Sequence, residues 1–328
     1  VPPPPPSPEA SAPPAPPSPP PASAAASAPA PAADAGDAEP TIDLVATLFP
    51  DAATTPPGVP GCIKVEDARD RAHCLIATRF EGDAEAARMA TDLFDATGSV
   101  AGVQVEQEMD GGFRGRIHIV PEVPVGRHRR HLAWIAAAGG DFDAFFDGLA
   151  RAAPAPVHYR HRPLGFRFFR SVNRTTPSAY AGTWEISYNV SGSLHVSADA
   201  VRETLFHELF HVNDADHGDW SPKHLRAAFD AIVARCGTRM ACLRPYAPTE
   251  TTVRGGTYYA FQPDNGEAVH EYAAELALRY YREQRAVQRG EPLGRPPFKC
   301  GPVENRTSWD AVAAEFFGGA DAVPPCEK

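Results

Sequence analysis

Residues 207–211 read His-Glu-Leu-Phe-His, an H-E-x-x-H pattern. On a helix, His207 and His211 leave the same face one turn apart, so two neutral imidazole nitrogens can grip one zinc ion. Glu208 stands beside the first of them, where a carboxylate can take the proton of a zinc-bound water. Two protein ligands are too few. The pattern therefore demands a fold that carries a third ligand, from elsewhere in the chain, onto this helical face.

The flanking residues support a helix. Ser197 precedes Ala-Asp-Ala-Val-Arg-Glu, an N-cap followed by acids in the first turn. Val201, Leu205 and Leu209 repeat at i, i+4 and i+8 with Phe206 and Phe210 beside them, a buried stripe next to the histidine face.

Composition limits where the fold begins. Sixteen of the 36 prolines lie in residues 1–40, which hold no aromatic residue, Lys or Arg. Such a segment buries too little apolar surface to offset its ordering entropy and reads as a disordered Pro/Ala/Ser-rich tether. Residues 41–328 then form a single α+β domain, with a sheet-containing upper part over 41–195 and a zinc helix with a helical lower part over 196–328. No run of 18 apolar residues occurs, which argues against a transmembrane helix. No charged segment followed by an apolar core opens the chain, so any signal peptide has been removed. The tether suits an exported protein held off a cell envelope.

Cysteine usage agrees with export. Six cysteines pair by short loops as Cys62–Cys74, Cys236–Cys242 and Cys300–Cys326, one of fifteen connectivities. No C-x-x-C occurs. A formal net charge of −10 argues against nucleic acid as a partner. Two clusters that mix Arg with His, Arg127–His131 and His158–Arg162, read as solvated faces.

Periodicity predicts a helix over 83–94. Strands follow over 103–109 and 116–120, around the turn Asp110-Gly111-Gly112. Two helices, 131–138 and 142–152, are expected on either side of Gly139-Gly140. Strands follow over 157–159, 165–170 and 183–190, and the last of these is a candidate to pair with an extended substrate. A helix over 222–235, a loop to about 263, a helix over 267–288 and a Pro/Gly-rich tail complete the reading. Asp264 and Glu267 form a capping box for that last helix.

Two residues compete as third ligand. His217 lies six positions after His211, the metzincin spacing, but Asp214 stands where a metzincin has the Gly that ends the helix. Glu271 shares a helix face with Glu275 in Glu-Tyr-Ala-Ala-Glu, so one carboxylate can ligate while the other orients a ligating His. Ala273, Ala274 and Ala277 are small enough for two helices to approach closely.

H-E-x-x-H-x-x-D over His207–Asp214, followed by E-Y-x-A-E over Glu271–Glu275 and then Tyr280, resembles the gluzincin metallopeptidases of the anthrax lethal factor and Pro-Pro endopeptidase type. The likeness covers the two helices. It implies a zincin-like fold, Zn²⁺ held by His207, His211 and Glu271, supporting roles for Glu275 and Asp214, and a protein or peptide substrate. It also implies a tyrosine that stabilises the oxyanion. Asp264 holds that family position here, and Tyr258 and Tyr259 lie further upstream, Tyr259 being the candidate. The function expected is a zinc endopeptidase with Glu208 as general base. Three alternatives stand beside it: a metzincin-like peptidase that uses His217, a zinc-stabilised envelope scaffold without turnover, and a hydrolase of non-peptide amides.

Overall fold

The computed structural model describes residues 41–111, 115–253, 256–262 and 268–327. The expected tether, the Gly112 end of the expected turn and the capping box at Asp264 and Glu267 lie outside them. Helices α1 (Leu44–Leu48), α2 (Val59–Ile63), α3 (Ala68–Arg79) and α4 (Ala84–Thr97) precede β1 (Val100–Val103) and the hairpin β2 (Gln107–Asp110) and β3 (Arg116–Pro121). Helix α5 (Arg129–Ala152) leads to β4 (Gly165–Ser171), β5 (Ala179–Ala181) and β6 (Glu185–Asn189). Then come α6 (Ala198–Asp216), α7 (Trp220–His224), α8 (Arg226–Cys236), α9 (Met240–Leu243), the short ladder β7 (Thr252–Val253) and β8 (Thr257–Tyr258), α10 (Ala268–Gln288) and α11 (Val303–Phe316). This is an α+β architecture.

The main sheet is mixed. β4 is its axis, paired in parallel with β6 along one edge. Its other edge is shared by β1, parallel to its first half, and β3, antiparallel to its end. β5 closes the β6 side antiparallel. β6 is thus enclosed between β4 and β5, so the 183–190 segment cannot pair with a substrate; the outer edge belongs to β5. β1 can lie against α1 because residue 102 is Gly: a Cβ there would sit 1.9 Å from the Thr47 carbonyl oxygen.

Several boundaries depart from the periodicity reading. Gly139-Gly140 do not break α5, which runs through them; a Cβ at Gly140 would meet nothing, and the buried Phe142, Phe145 and Phe146 anchor the second half. Burial of that apolar face outweighs the roughly 1 kcal/mol that each helical Gly costs. The expected 103–109 strand is two strands broken at 104–106. Residues 157–159 make no ladder; instead the His158 and Tyr159 N–H groups both donate to the Phe316 carbonyl at 3.0 Å. The 222–235 helix is split into α7 and α8 at Leu225. The Pro/Gly-rich tail contains α11, whose Trp309, Val312 and Phe316 are completely buried. The basic clusters are not uniformly solvated, since His131 and Tyr159 are core residues.

Helix α6 is fixed in rotation by its apolar side. Ser197 caps it, its hydroxyl accepting from the Ala200 N–H at 3.2 Å. The Phe206 ring stacks between Tyr159 at 5.2 Å and Tyr281 at 4.2 Å. Asn213 donates to the Arg160 carbonyl and accepts the Arg160 N–H, both at 2.8 Å. Disulfides join Cys62–Cys74, Cys236–Cys242 and Cys300–Cys326, a redox state compatible with an extracytoplasmic location. Among the described residues, no helix is long and apolar enough to cross a membrane.

Candidate metal centre

Helix α10 packs on α6, and its Ala273, Ala274 and Ala277 are all fully buried. The acidic face of α10, with Glu271 and Glu275, comes within hydrogen-bonding distance of the histidine face of α6. His207 Nε2 lies 3.2 Å from Glu271 Oε2 and 3.2 Å from His211 Nε2, and His211 Nε2 lies 3.7 Å from the same Glu271 oxygen. Ligand atoms on a tetrahedron with bonds of about 2.0–2.1 Å stand roughly 3.3 Å apart. The triangle therefore fits a divalent ion of zinc's size, and these three residues are the group that can hold one among the described residues.

The other nitrogen of His207 is engaged too. Nδ1 lies 3.0 Å from Glu275 Oε1, leaving Nε2 to face the triangle. Glu275 is in turn held by Thr249, whose hydroxyl donates to Oε2. Such a chain, from a loop hydroxyl through a carboxylate to an imidazole, fixes ring orientation and tautomer. Asp214 serves the same interface from below. It is buried and accepts from the Ser221 N–H at 2.7 Å and the Ser221 hydroxyl at 2.6 Å, and it holds His270 Nδ1 at 2.7 Å. His270 immediately precedes Glu271, so Asp214 ties the end of α6 to the turn of α10 that carries the carboxylate.

His217 is not brought to the triangle. Helix α6 continues through Asp214 to Asp216, and the left-handed residues that turn the chain are Gly218 and Asp219. The turn comes after His217 rather than before it, so its ring points elsewhere. Nδ1 lies 2.7 Å from Glu315, and the ring packs on Phe316.

Charge and burial set the protonation states. Burial pushes the His207 imidazolium down, but Glu271 and Glu275 on its two nitrogens outweigh that and raise it well above its ordinary value. Burial pushes Glu271 up, and His207 and His211 more than reverse the shift. Without a metal, a proton thus occupies the position that a cation would take, and metal uptake releases protons and weakens as pH falls. Glu208 is different. Its carboxyl is raised above the ordinary value, first by burial and further by Glu271, although the two histidines and the Ala181 N–H oppose this. A carboxyl moved upward in this way is better matched to accept a proton near neutrality.

His207, Glu208 and Glu275 line a cleft of about 950 Å³. One wall is the segment 174–179, the start of β5; another is Thr251–Val253 with Tyr259; the floor is α6 and α10. The antiparallel register turns the N–H and C=O groups of Ala179 and Ala181 to the outer edge of β5, and the Ala181 N–H meets Glu208. Tyr259 lines the cleft with its ring 5.9 Å from that of His207, whereas Tyr258 is buried on β8. Sequence reasoning did not find Thr249, Ser221, His270 or the Ala181 N–H. They sit in loops or at element ends far from the motif and carry no periodic signal. Comparison with protein families, with curated proteins and with solved structures finds no match for this chain.

Proposed function

We propose that the chain is a zinc-dependent endopeptidase of gluzincin type that acts outside the cytoplasm. The observation that carries the reading is the triangle of His207, His211 and Glu271 with a buried glutamate beside it, where His207 and that glutamate line a cleft with a sheet edge along one wall. A scaffold role would need the triangle but neither Glu208 nor the cleft. Held by His207, His211 and Glu271, zinc would supply Lewis acidity and lower the pKa of a bound water. The outer edge of β5 receives the substrate backbone in extended form, with Ala179 presenting its N–H and C=O. Glu208 takes a proton from the attacking water and delivers it to the leaving amine. Tyr259, whose ring lies 5.9 Å from that of His207, is the candidate donor to the oxyanion. Glu275, held by Thr249, keeps His207 in the tautomer that leaves Nε2 for the metal.

The test is incubation of metal-loaded protein with a panel of unstructured polypeptides, with and without chelator, read by mass spectrometry. Cleavage is expected from the loaded protein and not from the chelated one. Glu208→Gln should bind zinc stoichiometrically and lose about 10²- to 10⁴-fold in rate, the contribution of a general base. A fully active Glu208→Gln, or a loaded wild type that cuts no peptide bond, would overturn the reading.

A further inference from the structure

Among the described residues, the large apolar side chains left in solvent are Ile63, Leu194, Val196 and Val303. Ile63 and Val303 stand alone on separate helices. Leu194 and Val196 are two positions apart in the loop between β6 and α6, 53% and 72% exposed, and both line the cleft that holds His207 and Glu208.

The loop that carries them is tightly built. His195, between them, is buried, with Nδ1 2.8 Å from the Asn189 carbonyl and its ring stacked 3.9 Å from that of Tyr188. The Leu194 N–H donates to the Ser178 hydroxyl at 3.1 Å and the Ser193 N–H to the Thr175 carbonyl at 2.9 Å. At Gly192 a Cβ would stand 2.9 Å from the Ser178 Cα and 3.0 Å from His195 Nδ1, so only Gly lets the loop close this far onto the wall. With His195 locked inward, its two neighbours are presented outward. Nor does Val196 serve α6: a residue just before an N-cap commonly packs on the fourth helical residue, here Val201, yet Val196 stays in solvent and Ser197 caps the helix unaided.

We propose that Leu194 and Val196 form an apolar subsite that selects a bulky aliphatic or aromatic side chain of an extended peptide, an assignment that rests on the peptidase reading above. An extended chain fits better than a second copy of this protein. The pair lies on the wall of a concave cleft, continuous with the β5 edge, and two side chains fall far short of the roughly 800 Å² per partner that a stable interface needs. The pair stands at the start of α6, and the helical rise from Ser197 to His207 is roughly 15 Å. At about 3.3 Å per residue of extended chain, the selected side chain lies about three to five positions from the bond that is cut. Contacts so far from the reacting atoms contribute to rate through remote binding energy.

The experiment uses zinc-loaded Glu208→Gln protein and a series of Ala/Ser peptides in which a single Leu, Phe or Ser is walked through each position, with binding read by fluorescence anisotropy. Leu and Phe are expected to bind about 10- to 100-fold tighter than Ser at one or two positions. The discrimination should collapse when Leu194→Ser and Val196→Ser are added. Both side chains are exposed, so unchanged melting and zinc content would show that the variant is folded. Equal binding of the series, or discrimination that survives in the variant, overturns the subsite. So does a dimer that the two substitutions dissolve, which would assign the pair to self-association. Cleavage-site profiling of the loaded wild type separates the two readings. Discrimination in binding with no cleavage refutes the peptidase and leaves the subsite, whereas cleavage without a bulky residue at a fixed distance refutes the subsite and leaves the peptidase.

Discussion

Two pairs of histidines are buried or nearly so in this protein, and they are opposites. His207 and His211 face two carboxylates of α10. His131 and His195 face none: His131 Nδ1 meets the Tyr188 hydroxyl at 2.9 Å, His195 meets a backbone carbonyl, and the charged neighbour acting on His131 is Arg130. Burial lowers the His131 imidazolium to about 3, with His195 and Arg130 adding to the effect, and lowers His195 to about 4. His207 is as enclosed as these and moves the other way. A buried imidazole is therefore not a metal site in itself. What makes one is the carboxylate that the opposing helix delivers, because it stabilises a proton or a cation equally well.

The strongest test of this contrast removes the carboxylate. Glu271→Ala leaves two histidines, like the second pair, and is expected to weaken zinc binding by more than about 100-fold, beyond the range typical of supporting residues. His217→Ala should hold zinc within about threefold of wild type, since that ring is engaged with Glu315. Dialysis against a mild chelator followed by metal analysis decides it, and zinc retained by Glu271→Ala but stripped from His217→Ala would favour the metzincin arrangement.

A smaller effect is expected one step out. Glu275→Gln should weaken zinc by about 10- to 100-fold. Thr249→Val should do so by less, roughly 3- to 10-fold, with Thr249→Ser restoring the wild-type value because it keeps the hydroxyl. Competition with a chromophoric chelator measures all three. Loss of affinity in Thr249→Ser equal to that in Thr249→Val would remove the hydroxyl from the account.

A further test separates the pairs by pH in metal-free protein. His131 and His195 have folded values below the unfolded 6.5, so the unfolded chain binds more protons. Their contribution is complete above about pH 6.5 and is lost as pH falls toward 4. By pH 5 the loss is on the order of 1–2 kcal/mol for each. His207 has the opposite sign: its folded value is raised, so its contribution is full below 6.5 and is lost as pH rises through the folded value. Urea unfolding at pH 7 and pH 5 should therefore show a smaller pH dependence in His195→Gln than in wild type. An unchanged dependence would mean that His195 is protonated inside the fold.

The contrast also explains what could be read before the structure. His207, Glu208 and His211 were legible because helical spacing is a local property. Glu275 was legible as a partner of a ligating His because it shares a face with Glu271. A close approach of α10 to α6 was also legible, from the small side chains of Ala273, Ala274 and Ala277; the contacts that set its rotation, Phe206 on Tyr281 and Glu203 with Arg282, were not. Thr249 reaches Glu275 from a loop whose path no periodicity encodes. The different settings of Tyr258 and Tyr259 were not legible, because the chain leaves the strand between them: β8 ends at Tyr258 and a tight helical turn begins at Tyr259. Gly139-Gly140 and the Pro/Gly-rich tail misled for one reason: local propensity was outweighed by aromatic residues that find their partners only in the folded chain, Phe142 and Phe145 on Tyr281 in one case and Phe316 on Phe210 in the other.

The disulfides divide the work of holding the chain in an unexpected way. They join residues only 12, 6 and 26 positions apart, so each restrains a short stretch, and none links α6 to α10. The long excursion from His207 to Glu271 is closed without a covalent bond, by ionic contacts at the triangle and by packing such as Phe206 on Tyr281. A disulfide restrains the chain even when it unfolds, whereas a reversible clasp holds the seam only while the chain is folded. A thiol reductant and a chelator should then loosen different parts of the molecule. Reduction would fray α2–α3, α8–α9 and the C-terminal end, while metal removal would act on the seam between the two helices that form the cleft floor.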